Sequence, residues 1–486
     1  MSILETLAMP MACTVDDEAI AALHAAHTVQ TAAFAADRSP SIAVRRERLH
    51  ALIGMMTTNR ERISAAVASD FGAHPVPASD LIEVLGVIGR AHYVLDRLED
   101  WMAPQPRDMD PAVFGTAHAH VAYQPKGVVG NIVPWNFPFD LSIGPLTEML
   151  AAGNRVIIKP SEYTPACADL LAEMIAAAFD PDLVTVAVGG LALARAFSSV
   201  AWDHLLYTGS PDVGRQVMAA AAANLTPVTL ELGGKCPAIL TPGSVTATNV
   251  ESVIGTKIIK NGQMCVSVDY ALVPRGEVET FVGHARAFMD RAAPDYAQGS
   301  DCTGMISPRH YDRIADMLSE ARDRQTRIVP LSSDEGIGTA TRCLPIVLAI
   351  DPASDLRIMR EEIFGPILPV VPYDDLDAAI AYVNGGERPL GLYVFGDDPT
   401  VTDQVLAATT SGGASVNTCA VQSALPSMGF GGSGMSGMGR HHGIEGFREF
   451  SNQRGVFVRG AGDMIDTFYA PYTKAAAVVA AAFNAL

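Results

Sequence analysis

Two reactive side chains stand 34 positions apart, at Glu231 and Cys265. The first opens Glu231-Leu232-Gly233-Gly234-Lys235 and the second closes Asn261-Gly262-Gln263-Met264-Cys265. A thiolate can attack an electrophilic carbon and hold it as a thioester. A carboxylate can take the proton of the thiol, or of the water that later frees the acyl group. The two glycines beside Glu231 let backbone or ligand approach closely. Spacing alone does not bring the pair together, so the surrounding elements have to.

Those elements alternate. Residues 16–37 and 41–70 are Ala-rich and helical in pattern, with Leu49, Leu52, Ile53 and Met56 at three-to-four spacing. A stripe of Val84, Leu85, Ile88, His92, Leu95 and Leu98 follows, and its spacing places His92 in the core as a packed histidine. Pro104, Pro106 and Pro111 then break any helix, and Ala117 to Tyr123 alternate as a strand. His118 and His120 share one face of that strand. No third ligand accompanies them, so no metal is expected. From Gly127 the pattern is strand, turn, helix, repeated: Val128–Val133, Arg155–Pro160, Leu183–Val188, His204–Tyr207 and Val228–Glu231 are strands, each but the last followed by a helical stretch. Such alternation predicts a doubly wound parallel sheet. A second alternating region runs from Lys235 to about residue 430. The literal glycine pattern at Gly432, Gly434 and Gly437 follows no apolar strand and is read as a decoy for a dinucleotide fingerprint.

Composition sets the class. The 486 residues are 49% hydrophobic and 18% charged, which favours a large buried core. A formal charge of -19 argues against nucleic acid or anionic membrane as a partner. Seven cysteines, widely spaced and without a CxxC, argue against a disulfide framework and for a reducing cytoplasm. The acidic N-terminus, with Glu5 and Asp16-Asp17-Glu18, does not resemble a secretory signal. Ala475 to Phe483 is apolar but too short to span a bilayer, so a docked or interfacial helix is expected and no integral membrane segment.

Six motifs occur in order: Pro134-Trp135-Asn136-Phe137-Pro138, Lys159-Pro160-Ser161-Glu162, Tyr207-Thr208-Gly209-Ser210, Glu231-Leu232-Gly233-Gly234-Lys235, Gly262-Gln263-Met264-Cys265 and Glu361-Glu362-Ile363-Phe364-Gly365-Pro366. Together they closely resemble the aldehyde dehydrogenase superfamily over nearly the whole chain. The wording Val188-Gly189-Gly190 and Tyr469-Ala470-Pro471-Tyr472 resembles its class-3-like branch, which includes coniferyl aldehyde dehydrogenases. The resemblance implies two doubly wound α/β domains and a small β oligomerisation element. The NAD(P)-binding domain would be residues 1–106 and 126–235, the catalytic domain 236–446, the oligomerisation strands 107–125 and 447–460, and the tail 461–486.

The chemistry asks for the same residue types. An aldehyde has no leaving group but hydride, so its oxidation needs a covalent adduct that can expel hydride to a cofactor. Cys265 is the candidate nucleophile; the other six cysteines are read as small buried hydrophobes. The adduct oxyanion needs preplaced donors. Asn136, in a rigid turn between prolines, resembles the family's oxyanion amide, with the Cys265 backbone N–H as its partner. Glu231 resembles the general base, and a hydrophobic setting should raise its pKa. By the same resemblance Lys159 and Glu162 hold the adenosine ribose. Gly209, Ser210 and Gly214 take the pyrophosphate at a helix N-terminus. Glu362 and Phe364 hold the nicotinamide ribose and ring, and Pro134, Trp135 and Leu232 complete the cofactor site. Glu162 should repel a 2′-phosphate, so NAD is favoured, with NADP possible. The implied activity is oxidation of a small-molecule aldehyde to the acid, the aldehyde being aromatic or cinnamyl, such as coniferyl aldehyde, or medium-chain aliphatic. A homodimer is expected. A CoA-acylating relative and an inactive cofactor-binding relative are the alternatives. Val266-Ser267-Val268-Asp269-Tyr270 and Ser427-Met428-Gly429-Phe430-Gly431-Gly432 depart from the usual class-3-like wording near the substrate mouth.

Overall fold

The computed structural model describes residues 15–332 and 341–484. Glu5, used above in reading the N-terminus, and Cys13, one of the seven cysteines, lie outside the described residues.

Three sheets organise the chain. The first has six strands in the order Gly437–Met438, Val228–Leu232, His204–Gly209, Val128–Ile132, Arg155–Lys159, Val184–Val186. All its pairs are parallel except the one made by Gly437–Met438. Strands such as Val128–Ile132 and Arg155–Lys159 are buried along their whole length. They read as unbroken apolar runs because helices cover both faces of a parallel sheet. The strand order reverses between Val128–Ile132 and His204–Gly209. Their carboxyl ends flank the crevice where open α/β sheets bind ligands.

The second sheet has seven strands in the order Arg327–Pro330, Val347–Ile350, Ile367–Tyr373, Tyr270–Pro274, Pro237–Leu240, Gly391–Phe395, Gly413–Val416. Only Arg327–Pro330 is antiparallel to its neighbour. The third sheet is antiparallel and joins Gln105–Arg107, His118–Pro125 and Ser451–Val458.

Three expectations change. The helical stretch 41–70 divides at Asn59 into Ile42–Thr58 and Arg60–Phe71. His92 is exposed rather than packed in the core. A π-helical turn over Ser79–Gly86 leads into the helix Val87–Met102. The buried stripe is Val84, Val87, Ala91, Val94 and Leu98 at ordinary three-to-four spacing, one position ahead of Leu85, Ile88, His92 and Leu95. The apolar segment near the end forms the helix Thr473–Asn484, but none of its residues is buried, so it is not docked on the body. No helix among the described residues is long and apolar enough to cross a membrane.

Candidate active site

A cleft of about 260 Å³ opens between the first two sheets, and Asn136, Glu231 and Cys265 all line it. Each arrives differently. Asn136 follows the strand Val128–Ile132, in the turn that precedes the helix Asp140–Ala152. Glu231 is near the carboxyl end of Val228–Leu232. Cys265 follows a turn in which Lys260, Asn261 and Gly262 are all left-handed, with φ of 51°, 54° and 75°. Left-handed backbone is costly for Lys and Asn and persists only where the surroundings enforce it. Here they do. Gln263 donates to the Lys260 and Gly304 carbonyls at 2.9 and 3.0 Å and accepts from the Ile306 N–H at 3.0 Å. The Cys236 thiol donates to the Cys265 carbonyl at 3.3 Å, and Tyr393 donates to the Val266 carbonyl at 2.6 Å.

Electrostatics follow from burial. Cys265 is half-buried, and burial together with nearby Glu362 and Glu231 pushes its thiol up to about 12. Glu231 is 2% exposed, and neither of its oxygens has a hydrogen-bond partner among the described residues. Burial raises its carboxyl well above the usual range, which makes it a stronger proton acceptor than an exposed carboxylate. Its cage is tight, since a Cβ on Gly431 would come within 2.9 Å of Glu231 Oε1. Asn136 is buried and donates through Nδ2 to the Gln263 carbonyl at 3.3 Å.

Among the expected cofactor residues, Pro134, Trp135, Gly209, Ser210, Leu232, Glu362 and Phe364 line the same cleft. Lys159, Glu162 and Gly214 lie outside its lining. Lys159 is buried and pairs with the Glu162 carboxylate at 3.0 Å, beyond the end of its strand. Ser210 caps the helix Pro211–Ala222, accepting from the Val213 N–H at 3.4 Å. Asp269 positions Glu362 by accepting from the Ile363 N–H at 3.0 Å, and Lys235 pairs with the other Asp269 oxygen.

Sequence reasoning missed several lining residues. His310 and Arg313, from the helix Pro308–Asp323, face the cleft across Trp135 and Glu362. The His310 ring packs edge-on to Trp135 at 5.1 Å, and Arg313 donates to the Glu362 carbonyl at 3.3 Å. Leu141 and Leu390 add an apolar wall, joined by Phe430 from the segment expected near the substrate mouth. The glycine-rich decoy is also part of the site: Gly437 pairs with Glu231 across the edge of the first sheet. A histidine three residues ahead of an arginine carried no signal without knowing where its helix packs.

The aldehyde dehydrogenase family model matches residues 6–456. The chain belongs to the aldehyde dehydrogenase family. It is 44% identical over 432 residues to the "Probable coniferyl aldehyde dehydrogenase" of Caulobacter vibrioides, covering 88% of this chain and 89% of that one. It is 38% identical over 438 residues to the "Coniferyl aldehyde dehydrogenase" of a Pseudomonas species, covering 90% of each. Among solved structures, the substrate-bound Staphylococcus aureus AldH matches with a TM-score of 0.88 at 29% identity, covering 95% of this chain and 99% of that one. As a member of this family the protein is an oxidoreductase that oxidises an aldehyde with NAD or NADP. The cleft suits such a dinucleotide. Glu362 Oε1 is a buried acceptor with no partner among the described residues, ready for a ribose hydroxyl. Gly233 leaves that carboxylate clear, because a Cβ there would lie 2.0 Å from Glu362 Oε2.

Proposed function

We propose that Cys265, Asn136 and Glu231 carry the aldehyde oxidation, and that the substrate is a flat apolar aldehyde of the cinnamyl or aromatic class, with medium-chain aliphatic aldehydes also accepted. The observation that supports this reading is the convergence of the three residues, from separate segments, in one cleft with Trp135, Glu362 and Phe364. At neutral pH the Cys265 thiol is protonated, so its attack on the carbonyl carbon requires a proton acceptor. Glu231, raised by burial, has the basicity for it. As sulfur adds, the carbonyl oxygen becomes an oxyanion, which Asn136 Nδ2 and the Cys265 backbone N–H stabilise. Trp135, Glu362 and Phe364 would hold the nicotinamide end of NAD(P), which when bound would supply the hydride acceptor for the adduct. Glu231 releases the thiol's proton to solvent and then takes one from water. The hydroxide attacks the thioester, and as the carboxylic acid leaves, the proton on Glu231 passes to the departing Cys265 thiolate.

Glu362 is the acceptor for the nicotinamide ribose, with Trp135 and Phe364, edge to face at 5.2 Å, forming the wall of that end. Lys159 and Glu162 bind the adenosine ribose. Leu141, Leu390 and Phe430 are the surfaces on which an apolar aldehyde packs, and two relatives named for coniferyl aldehyde support the cinnamyl class. The protein works as a cytoplasmic homodimer joined through 107–125 and 447–460. The exposed Phe457 and Val458 on the strand Ser451–Val458, and a mouse relative named "Aldehyde dehydrogenase, dimeric NADP-preferring" at 34% identity, support the dimer.

The test follows NAD(P)H absorbance with cinnamyl, aromatic and aliphatic aldehydes and with both cofactors. Cinnamyl aldehydes should give the highest kcat/KM and a carboxylic acid product. Cys265→Ser should abolish turnover, and a Cys265→Ser enzyme of full activity would refute the mechanism.

A further inference from the structure

The two oxyanion donors proposed above ride on different parts of the chain, Asn136 before one helix and Cys265 after a left-handed turn. They must converge on a single oxygen, so something has to fix the separation of their loops. The Asn136 amide donating to the Gln263 carbonyl is one link. A second lies behind it, at Glu83.

Glu83 sits on the π-helical turn Ser79–Gly86 and is wholly buried. Such turns often mark functional positions, because they push one residue out of helical register. Its Oε2 accepts from the Phe139 and Asp140 N–H groups at 3.0 and 2.9 Å, three and four residues after Asn136. Its Oε1 pairs at 2.8 Å with Lys260 Nζ, which is itself 1% exposed. Lys260 begins the left-handed turn that ends just ahead of Cys265. The ammonium also lies over the faces of Phe71 and Phe137, at 4.6 and 4.7 Å from the ring centres. Phe137 is the residue next to Asn136. One carboxylate therefore holds the Asn136 loop through two backbone donors and the Cys265 turn through one buried cation. Charge-assisted bonds of this kind are short and directional, and a buried pair loses much when one partner is removed.

We infer that Glu83 and Lys260 form a positioning pair that sets the distance between the Asn136 amide and the Cys265 N–H, and so tunes the oxyanion site without touching substrate. The inference rests on the assignment of Cys265 and Asn136 made above. A misplacement of about 1 Å at a reacting centre costs about a hundredfold in rate, so small shifts of either loop are legible in kcat. Glu83→Gln keeps the volume but turns an amide NH₂ toward either the Phe139 and Asp140 donors or Lys260, so one loop is released. Lys260→Met keeps the stem between the phenylalanine rings and removes the cation.

The experiment measures kcat per titrated Cys265 thiol, the KM for aldehyde, the dissociation constant of NAD, and the rate of Cys265 alkylation by iodoacetamide, which needs a thiolate but no oxyanion donors. Both variants should lose tenfold or more in kcat. KM, NAD affinity and alkylation rate should stay within twofold, and Lys260→Arg should recover part of the loss. The Glu83→Gln/Lys260→Met double variant, which leaves no unpaired charge, serves in place of a single variant that does not fold. An unchanged kcat per thiol in a folded variant overturns the inference, as does alkylation that slows in step with kcat. Should Cys265→Ser, with Glu83 and Lys260 intact, retain turnover, the nucleophile assignment fails instead.

Discussion

Glu231→Gln separates chemistry from stability at one position. The substitution preserves shape and replaces one carboxylate oxygen by an amide nitrogen. Neither Glu231 oxygen has a hydrogen-bond partner among the described residues, so no protein bond is lost. Burial has raised the carboxyl well above its ordinary value. A group with a raised folded pKa supports the fold fully only below its unfolded pKa of about 4.5, and that support is lost as pH rises through the folded value. The glutamine variant escapes this loss, so its Tm should equal the parent's near pH 5 and exceed it at pH 8. Activity should move the other way. Removing a general base costs about 10²–10⁴ in rate, which is about 2.7–5.4 kcal/mol of barrier. If the base acts mainly on the deacylating water, a stopped-flow trace should show a burst of NADH close to one equivalent followed by a slow steady state. Intact-protein mass should then show the acyl group on the enzyme. A Glu231→Gln enzyme with parental kcat would refute the assignment, and a Tm lowered by several degrees at pH 8 would refute the view that this carboxyl is unsupported.

Asn136→Ala should lower kcat by about 10²–10³, or about 2.7–4 kcal/mol, with NAD affinity measured by fluorescence titration unchanged. Glu162→Gln removes one negative charge where a 2′-phosphate would lie, so the NADP-to-NAD ratio of kcat/KM should rise about fivefold, or about 1 kcal/mol. Burial, helped by Lys260, lowers the His74 imidazole to about 3. Below pH 6.5 the unfolded chain binds a proton there that the native chain refuses. Stability present above 6.5 is therefore lost as pH falls toward 3, with a slope of up to about 1.4 kcal/mol per pH unit from this residue. Urea midpoints between pH 7 and 5 should fall less steeply in His74→Gln than in the parent.

The parallel strands of the first sheet were legible because each is a short apolar run ended by a turn motif. Glu231, Asn136 and Cys265 were legible as candidates because their types suit one reaction and their motifs resemble one family, and all three line the cleft. His92 was misjudged because Leu85, Ile88 and Leu95 form a competing apolar stripe at the same spacing, while the buried one, Val84, Val87, Ala91, Val94 and Leu98, lies one position away. His310 and Arg313 were not legible. They reach the cleft from elements whose packing is decided by distant contacts, and nothing local to them encodes that approach. The glycines near 432–437 form a short turn and a two-residue strand rather than a strand-to-helix turn. Their actual use, allowing backbone to press against the Glu231 strand, depends on a neighbour some 200 residues away.

That last contact bears on how the protein is made. Val228–Leu232 has only one partner in its sheet until Gly437–Met438 is added beside it. At about 5–20 residues per second, a ribosome needs about 10–40 s to pass from one segment to the other. During that interval the nascent sheet presents an open edge, the kind of surface that pairs with other chains. The edge beside the general-base candidate Glu231 is thus closed only by a two-residue strand made some 200 residues later.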